Sequence, residues 1–424
     1  MKTRYVPIII LLTAILSCGG GGGGGGGGST DIQYWTAIDW QTVNANFYAG
    51  YTYDGLAPSC SGAPGTYSSD FRFFYKEGSV DKLLVFFQGG GACWHGSNCL
   101  DTSTYSEELQ LYDNQSILDI ISNGGALTYG PGYGGIFDFT DDRNPFRDWN
   151  MVYIPYCTGD LHWGANDASY TTAGSGTQTI HHRGSVNFHL VLQWMIDTFA
   201  TDPDTVFVTG ISAGAYGAIM NFPFIQGAFP SSHFFVLGDA GNGIVNNNFQ
   251  TVGVLNWDIQ APVSTDILVD DDFTAFDSGN IETLALSDVY AAIANHYTTA
   301  KFAQYTAAWD ENQSYFFNVM EKIAAANYTE ADWNAVSCTT WDSWNNQMNS
   351  MVDDTVTGVT TGTYHYFIAP GDVHTILMDA DLYQTSSAGV LLVDWINAML
   401  NGTAGFVDVE CTGNCGEPAG AVCP

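Results

Sequence analysis

Short, unbroken apolar runs alternate along this chain with stretches whose apolar residues recur at helical spacing. Lys82-Leu83-Leu84-Val85-Phe86-Phe87 is apolar on both alternating faces and ends in Gln88-Gly89-Gly90-Gly91. A run of that kind predicts a strand covered on both sides, as in a parallel sheet, followed by a turn. Trp149 to Pro155, Val206 to Val208, His233 to Leu237, Phe302 to Trp309 and Tyr364 to Ile368 predict further strands. Between them, Asn187 to Phe199 carries Phe188, Val191, Leu192, Trp194 and Met195 at helical spacing, and Gly389 to Leu400 predicts a closing helix. Strands alternating with helices imply an α/β fold with a mostly parallel central sheet and helices on both faces. About 60 residues separate the strand ending at Leu237 from the one beginning at Phe302, too many for a bare loop. Helical spacing within them, as in Asp288 to Ala300, predicts a cap insertion around 240–300.

The run Val206-Phe207-Val208-Thr209 leads directly into Gly210-Ile211-Ser212-Ala213-Gly214 and then into small and apolar residues compatible with a helix. Strand, tight turn and helix around G-x-S-x-G form the setting in which the pattern marks a nucleophilic serine, as in α/β-hydrolases. The flanking glycines let such a turn pack without side-chain clash, and the serine would stand at a helix N-terminus, where backbone N–H groups favour a developing oxyanion. A Gly-rich turn with a capping serine is the bland alternative.

A serine nucleophile needs a general base and a group that orients the base. In this fold the acid and then the histidine follow the serine in chain order, at the carboxyl ends of strands. His374, in Pro370-Gly371-Asp372-Val373-His374, follows the last strand and is the last histidine of the chain, whereas His365 sits inside that strand. Two strand ends compete for the acid: Asp310, after Phe302 to Trp309, and Asp239, after Phe234 to Leu237. The order rule favours Asp310 and leaves Asp239 to cap the following segment or shape the pocket floor. Asp372, two residues from the histidine, is expected to fix its loop. The Gly-rich loop after Phe87 predicts an oxyanion hole built from the N–H groups of Gly91, Ala92 and Ala213. No G-K-[ST] follows these glycines, which excludes a phosphate cradle. Trp94, Tyr216, Asp239 and Trp309 are the expected pocket residues, with Trp163 nearby.

Composition narrows the setting. The chain has 424 residues, 46% of them hydrophobic, enough for a large core. Its formal charge is −34, from 44 acidic and 10 basic residues, which excludes nucleic acid as a partner at low ionic strength. Lys2 and Arg4 precede an apolar stretch, Pro7 to Leu16, of signal-peptide length and too short to span a bilayer. Ile15-Leu16-Ser17-Cys18 resembles a bacterial lipoprotein signal with Cys18 as the lipidated residue, and Gly19 to Gly28 would then be a flexible tether. The expected organisation is a signal segment at 1–18, a linker at 19–30, a catalytic domain at 31–405 and a Cys-rich tail at 406–424. The protein is expected outside the cytoplasm, lipid-anchored in the cell envelope or secreted, with the membrane touched only through the N-terminal lipid.

Setting Cys18 aside leaves Cys60, Cys93, Cys99, Cys157, Cys338, Cys411, Cys415 and Cys423, an even set that suggests disulfides whose pairing spacing does not give. No C-x-x-C pair is present, which argues against zinc. Asp270-Asp271-Asp272 lacks the glycine and glutamate of a calcium loop and reads as a solvated turn.

Taken together, Gly89-Gly90-Gly91-Ala92-Cys93-Trp94, Ile154-Pro155-Tyr156-Cys157-Thr158-Gly159-Asp160, His182-Arg183-Gly184, Gly210 to Gly214, Asp239-Ala240-Gly241 and Ala307-Ala308-Trp309-Asp310 resemble the pectin acetylesterase/Notum family. The resemblance runs from about Gly55 to His374. It implies an α/β-hydrolase-like serine esterase that uses no metal or cofactor, with the nucleophile at Ser212, the acid at Asp310 and the base at His374. It also implies an acylated polysaccharide or another ester as substrate, since members remove acetyl groups from pectin or a fatty acyl group from a signalling protein. Two positions depart from the family: Ala92 stands where a tryptophan is usual, and Gln88 where glutamate is frequent. The expectation is therefore ester hydrolysis, with deacetylation of a polysaccharide first. The alternatives are a broad carboxylesterase or lipid deacylase, and a non-catalytic glycan-binding surface lipoprotein.

Overall fold

The computed structural model describes residues 35–43, 55–62, 71–105, 134–246, 249, 255–259 and 285–416. Cys18, the glycine run, Asp270 to Asp272 and Cys423 lie outside the described residues. In chain order the strands are β1 (Thr36–Asp39), β2 (Arg72–Lys76), β3 (Lys82–Phe87), β4 (Asn150–Ile154), β5 (Asn166–Thr172), β6 (Gly176–His182), β7 (Thr205–Ile211), β8 (His233–Asp239), β9 (Lys301–Ala307), β10 (Tyr364–Ala369), β11 (Ser386–Ser387), β12 (Val390–Leu391) and β13 (Val409–Glu410). The helices are α1 (Gly184–Thr198), α2 (Ala213–Ala228), α3 (Leu286–His296), α4 (Glu311–Ala324), α5 (Glu330–Asn334), α6 (Cys338–Gly358) and α7 (Leu392–Asn401).

Nine strands form one sheet in the order β1-β2-β4-β3-β7-β8-β9-β10-β13. β2 runs antiparallel to both β1 and β4, and every other neighbouring pair is parallel. The continuous apolar runs follow from this topology, because each central strand is covered on both faces. Leu83, Val85 and Phe87 of β3 enter one core with α1 and α2, while Leu84 and Phe86 enter the other with Phe137 and with Trp395 of α7. β7 divides the same way, Val206 and Val208 to one side and Phe207 to the other. The fold is thus the α/β-hydrolase-like arrangement the pattern predicts.

The expected strands fall on β3, β4, β7, β8, β9 and β10, and the expected helical stretches on α1, α2, α3 and α7. The antiparallel β1 and β2, the β5–β6 hairpin and helices α4 to α6 have no counterpart among the expected elements. α6 shows the reason: its buried side is the narrow stripe Trp344, Met348, Met351, Val352 and Thr355, set in an otherwise polar segment. Of the insertion expected around 240–300, α3 joins the helical layer, burying Val289, Tyr290 and Ile293 in the core that also holds α2. Within the segment read as a tail, β13 adds to the sheet edge beside β10.

The sheet register sets the site. Phe87 of β3 pairs with Gly210 of β7, Gly210 with Gly238 of β8, and Gly238 with Gln304 of β9. β3, β7 and β8 therefore finish within one residue of one another and β9 runs two residues beyond β8, and their following loops lie at one edge, where the ligand crevice of an open α/β sheet lies.

Disulfides join Cys60 to Cys157, Cys93 to Cys99 and Cys411 to Cys415, and Cys338 is disulfide-bonded as well. This cysteine chemistry fits an exported protein. Among the described residues, no helix is long and apolar enough to cross a membrane. The Cys60–Cys157 bond closes the longest of these loops, with a sequence separation of 97. Replacing both cysteines by alanine is expected to cost about 2–5 kcal/mol, read as a lower denaturant midpoint with a steeper slope, because the denatured chain without this link exposes more surface.

Candidate active site

Ser212 follows β7 directly and caps α2 with φ 52° and ψ −122°, a left-handed conformation that costs a non-glycine residue energy and is held by its surroundings. Its N–H donates to the Asp239 carbonyl (2.7 Å), while its own carbonyl accepts from Ala215 N–H (2.9 Å). The elbow presses on the end of β3 so closely that a Cβ on Gly214 would lie 2.0 Å from the Phe87 carbonyl oxygen, and one on Gly210 would lie 2.2 Å from the Gly214 oxygen. These glycines are there for close approach. Ala213 opens α2, so its N–H has no acceptor within the helix and is available to a ligand. Gly91, at φ 76°, bends the loop after β3 beside Thr104 and Tyr105. Gly91, Ala92 and Ala213 all line the same cavity as Ser212.

The loop after β3 is anchored from below. Gln88 Oε1 accepts from Tyr156 N–H (3.1 Å), and the Gln88 carbonyl is bonded to Nε2 of the buried His162 (2.9 Å). Burial pushes the His162 pKa down to about 4, so the ring is a neutral donor. Asp160, also buried, accepts from Thr158 Oγ1 (2.5 Å), His162 N–H (3.1 Å) and Gly184 N–H (2.7 Å), and burial raises its pKa to about 6. These motif residues are supports for the site.

Asp310 and His374 come together because the loops after β9 and β10 are zipped. Ala308 N–H donates to the Ala369 carbonyl (2.9 Å), Trp309 N–H to that of Gly371 (2.9 Å) and Glu311 N–H to that of Asp372 (3.1 Å). Asp372 thus fixes the loop through its backbone. Bracketed this way, Asp310 takes a bond from His374 Nδ1, 2.8 Å from Oδ1 and 2.9 Å from Oδ2. Asp310 is also the N-cap of α4, accepting Gln313 N–H (2.8 Å) and Gln313 Nε2 (2.9 Å). Its side chain is 0% exposed and that of His374 15%, leaving the imidazole as the only reachable member of the pair. Burial by itself would lower the His374 pKa, but the charge of Asp310 and the bond to it outweigh that, and the pKa is raised above its usual value.

Ser212 and His374 share a cavity with about 560 Å³ of empty volume, part of it open to solvent. No hydrogen bond joins their side chains among the described residues, which is common before a substrate is bound. Trp94, Leu161, Ile244, Phe249, Met320 and Trp344 are among its walls, and no Lys, Arg, Asp or Glu lines it among the described residues. Two expected pocket residues are elsewhere. Asp239 is turned beneath the site, where its Oδ2 accepts Ile376 N–H (2.9 Å) and Leu377 N–H (2.8 Å). Trp309 faces the chain's end, its Nε1 donating to the Asn414 carbonyl (2.9 Å). Trp163 lies behind Tyr216, donating from Nε1 to that residue's carbonyl (3.0 Å).

Gln313 was not among the expected site residues. It lines the cavity, and its Nε2 also reaches Asn242 Oδ1 (3.2 Å) and Thr306 Oγ1 (3.1 Å), while its Oε1 accepts Asn242 N–H (2.9 Å). The readable signal was Asp310-Glu311-Asn312-Gln313, an aspartate followed three residues later by glutamine at a helix start. A cluster that spacing conceals also appears: ligand atoms of Cys93, Cys99 and His182 lie within 4.8 Å of one another. The two sulfurs are bonded to each other, and the His182 ring nitrogens are taken by Tyr170 Oη (2.8 Å) and the Thr158 carbonyl (2.7 Å), so this grouping is structural.

Residues 61–253 match the family model described as pectinacetylesterase. The palmitoleoyl-protein carboxylesterase NOTUM of Mus musculus is 24% identical over 185 residues, 42% of this chain and 33% of that protein. The protein of the same name from Schmidtea mediterranea is 29% identical over 143 residues, 33% of this chain and 23% of that protein. The matched stretches therefore span a third or less of those relatives' length. Two crystal forms of the Wnt deacylase Notum from Drosophila match with a TM-score of 0.54, at 15% and 14% identity. They cover 84% and 86% of this chain, and 94% and 95% of theirs, a likeness of fold.

The tight packing under the elbow yields a test. Gly214→Ala is expected to destabilise the protein by about 1–3 kcal/mol, because the new methyl meets backbone that cannot move aside. A thermal melt unchanged from wild type would contradict this packing.

Proposed function

We propose that this chain is a member of the pectin acetylesterase/Notum family and a serine carboxylic-ester hydrolase working through an acyl-enzyme. The observation that carries this reading is a strained serine at a helix N-terminus sharing one cavity with an imidazole paired to a buried carboxylate. Ser212 Oγ attacks the ester carbonyl while His374 takes its proton. The tetrahedral oxyanion is held by N–H groups of Ala213 and of the Gly91–Ala92 loop, each donor contributing about 3 kcal/mol. His374 then gives the proton to the leaving alcohol, and a water activated by the same imidazole releases the acid. Asp310 keeps the Nδ1 proton in place and stabilises the imidazolium.

The leading substrate expectation is an O-acetylated polysaccharide. The apolar cavity favours a second reading on the same chemistry, an ester whose acyl chain is longer than acetyl, because aromatic and aliphatic walls gain from burying each added methylene, about 0.8 kcal/mol apiece. A strongly acidic protein repels an anionic galacturonan at low salt, so a neutral glycan suits it better than pectin. Export, with Cys18 lipidated and the glycine run as tether, completes the proposal.

Ser212→Ala is expected to abolish labelling by a fluorophosphonate and to lower kcat on aryl esters by about a millionfold, and Asp310→Asn by about ten-thousandfold. Labelling that survives in Ser212→Ala would sink the assignment of the nucleophile, and a wild type that takes no label would favour a glycan-binding role. Hydrolysis of an aryl ester series from acetyl to decanoyl separates the two substrate readings: activity confined to acetyl supports the deacetylase, and activity rising with chain length the lipid deacylase. Since His374 must be neutral to accept the proton and its pKa is raised, the acid limb of kcat/KM is expected above pH 6.5.

A further inference from the structure

Asp239 touches both halves of the site without lining it. Through its backbone carbonyl it holds Ser212 N–H (2.7 Å), and through Oδ2 it holds Ile376 N–H and Leu377 N–H (2.9 and 2.8 Å). The last two lie two and three residues beyond His374 on the loop that follows β10. The side chain is fully buried, and its Oδ1 has no hydrogen-bond partner among the described residues. A carboxylate in such a place is costly, and a residue needed only to end β8 would not require one.

We propose that Asp239 is a positioning residue: it fixes the base-bearing loop to the nucleophile elbow, so that His374 is kept at the distance and angle from which it can take the serine proton. The inference rests on the serine-hydrolase reading. Nucleophile and base are carried by strands β7 and β10, which are not neighbours, since β8 and β9 lie between them. The zipper from β9 orders Asp310 against His374 but makes no bond to Ser212. Asp239, at the end of β8, is bonded to the serine's own amide on one side and to the histidine's loop on the other. Strand pairing alone could not do this, because the loop has left the sheet by Pro370. The charges that face Asp239 are His374 and Asp310, with the Tyr305 phenol also nearby. Burial raises the Asp239 pKa to about 7, and the ionised form in turn favours protonation of His374.

The test uses the full chain with wild type, Asp239→Ala, Asp239→Asn and Ser212→Ala, on an aryl ester. Asp239→Ala removes both N–H bonds, and kcat is expected to fall about a hundredfold with KM changed less than about threefold, the size of loss a misplaced catalytic group gives. Asp239→Asn keeps an oxygen for the two N–H groups but no charge. It is expected to recover most of kcat and to move the acid limb of the pH profile to lower pH, because a negative charge that raises the His374 pKa is gone. A folded Asp239→Ala enzyme with wild-type kcat overturns the proposal. If Asp239→Ala does not fold, Asp239→Ser, too short to hold both N–H groups, takes its place: a folded enzyme with kcat lowered at nearly constant KM supports the proposal, and one with wild-type kcat overturns it. Ser212→Ala separates the two levels. If it stays active, the hydrolase reading itself fails. If it is inactive while Asp239→Ala is not, only the role of Asp239 falls.

Discussion

A carboxylate with no exposed surface must be satisfied by hydrogen bonds or it will not stay charged, and Asp310 is satisfied from several sides at once. Two donors come from Gln313, one of them the backbone N–H at the start of α4, and the third is His374. The positive end of the helix adds to them. Among the described residues no arginine or lysine takes part, so an imidazolium at His374 would be the full positive charge the aspartate meets. An ion pair with a fixed cation would have weakened that response. The cap and the Asp310–His374 pair are therefore one structure, and loss of either loosens the other.

The serine half depends on steric contact in place of charge. Its positive φ persists because the sheet has brought β3 and β7 into register one step before the elbow, leaving no room for a side chain at Gly210 or Gly214. The strain is local, and it points the hydroxyl out of the helix N-terminus into the cavity. The loop after β3 is then held from beneath by His162 and Gln88, two polar groups that are buried, paired and uncharged. Neutral supports suit a place where negative charge would develop, since a nearby carboxylate would oppose it.

The surface and the cavity obey opposite rules. Forty-four acidic residues against ten basic ones leave the outside strongly negative, yet no carboxylate lines the space in front of Ser212 among the described residues. Selection of a substrate by this cavity would thus come from shape and apolar burial, with charge acting on approach. The departure at Ala92 belongs to the same picture, for it keeps a backbone donor while leaving the wall to Trp94, Phe249 and Trp344.

Much of this was legible along the chain. Continuous apolar runs identified the strands because both faces of the sheet are covered, and G-I-S-A-G identified the elbow because strand, turn and helix chemistry is local. Order along the chain was enough to prefer Asp310 to Asp239 and to select His374, since each follows a strand end. Composition likewise pointed to disulfides but not to their partners. What sequence could not decide was anything set by packing at long range. Asp239 and Trp309 have the residue types of a pocket wall, and only the tertiary structure turned one beneath the histidine loop and the other toward Asn414. The bonds that tie Gln313 to Asn242 and the Cys93–Cys99–His182 cluster came into view only when segments far apart in the chain were brought together. Local backbone chemistry is written in neighbouring residues, whereas the direction in which a side chain is satisfied depends on which donors the fold delivers to it.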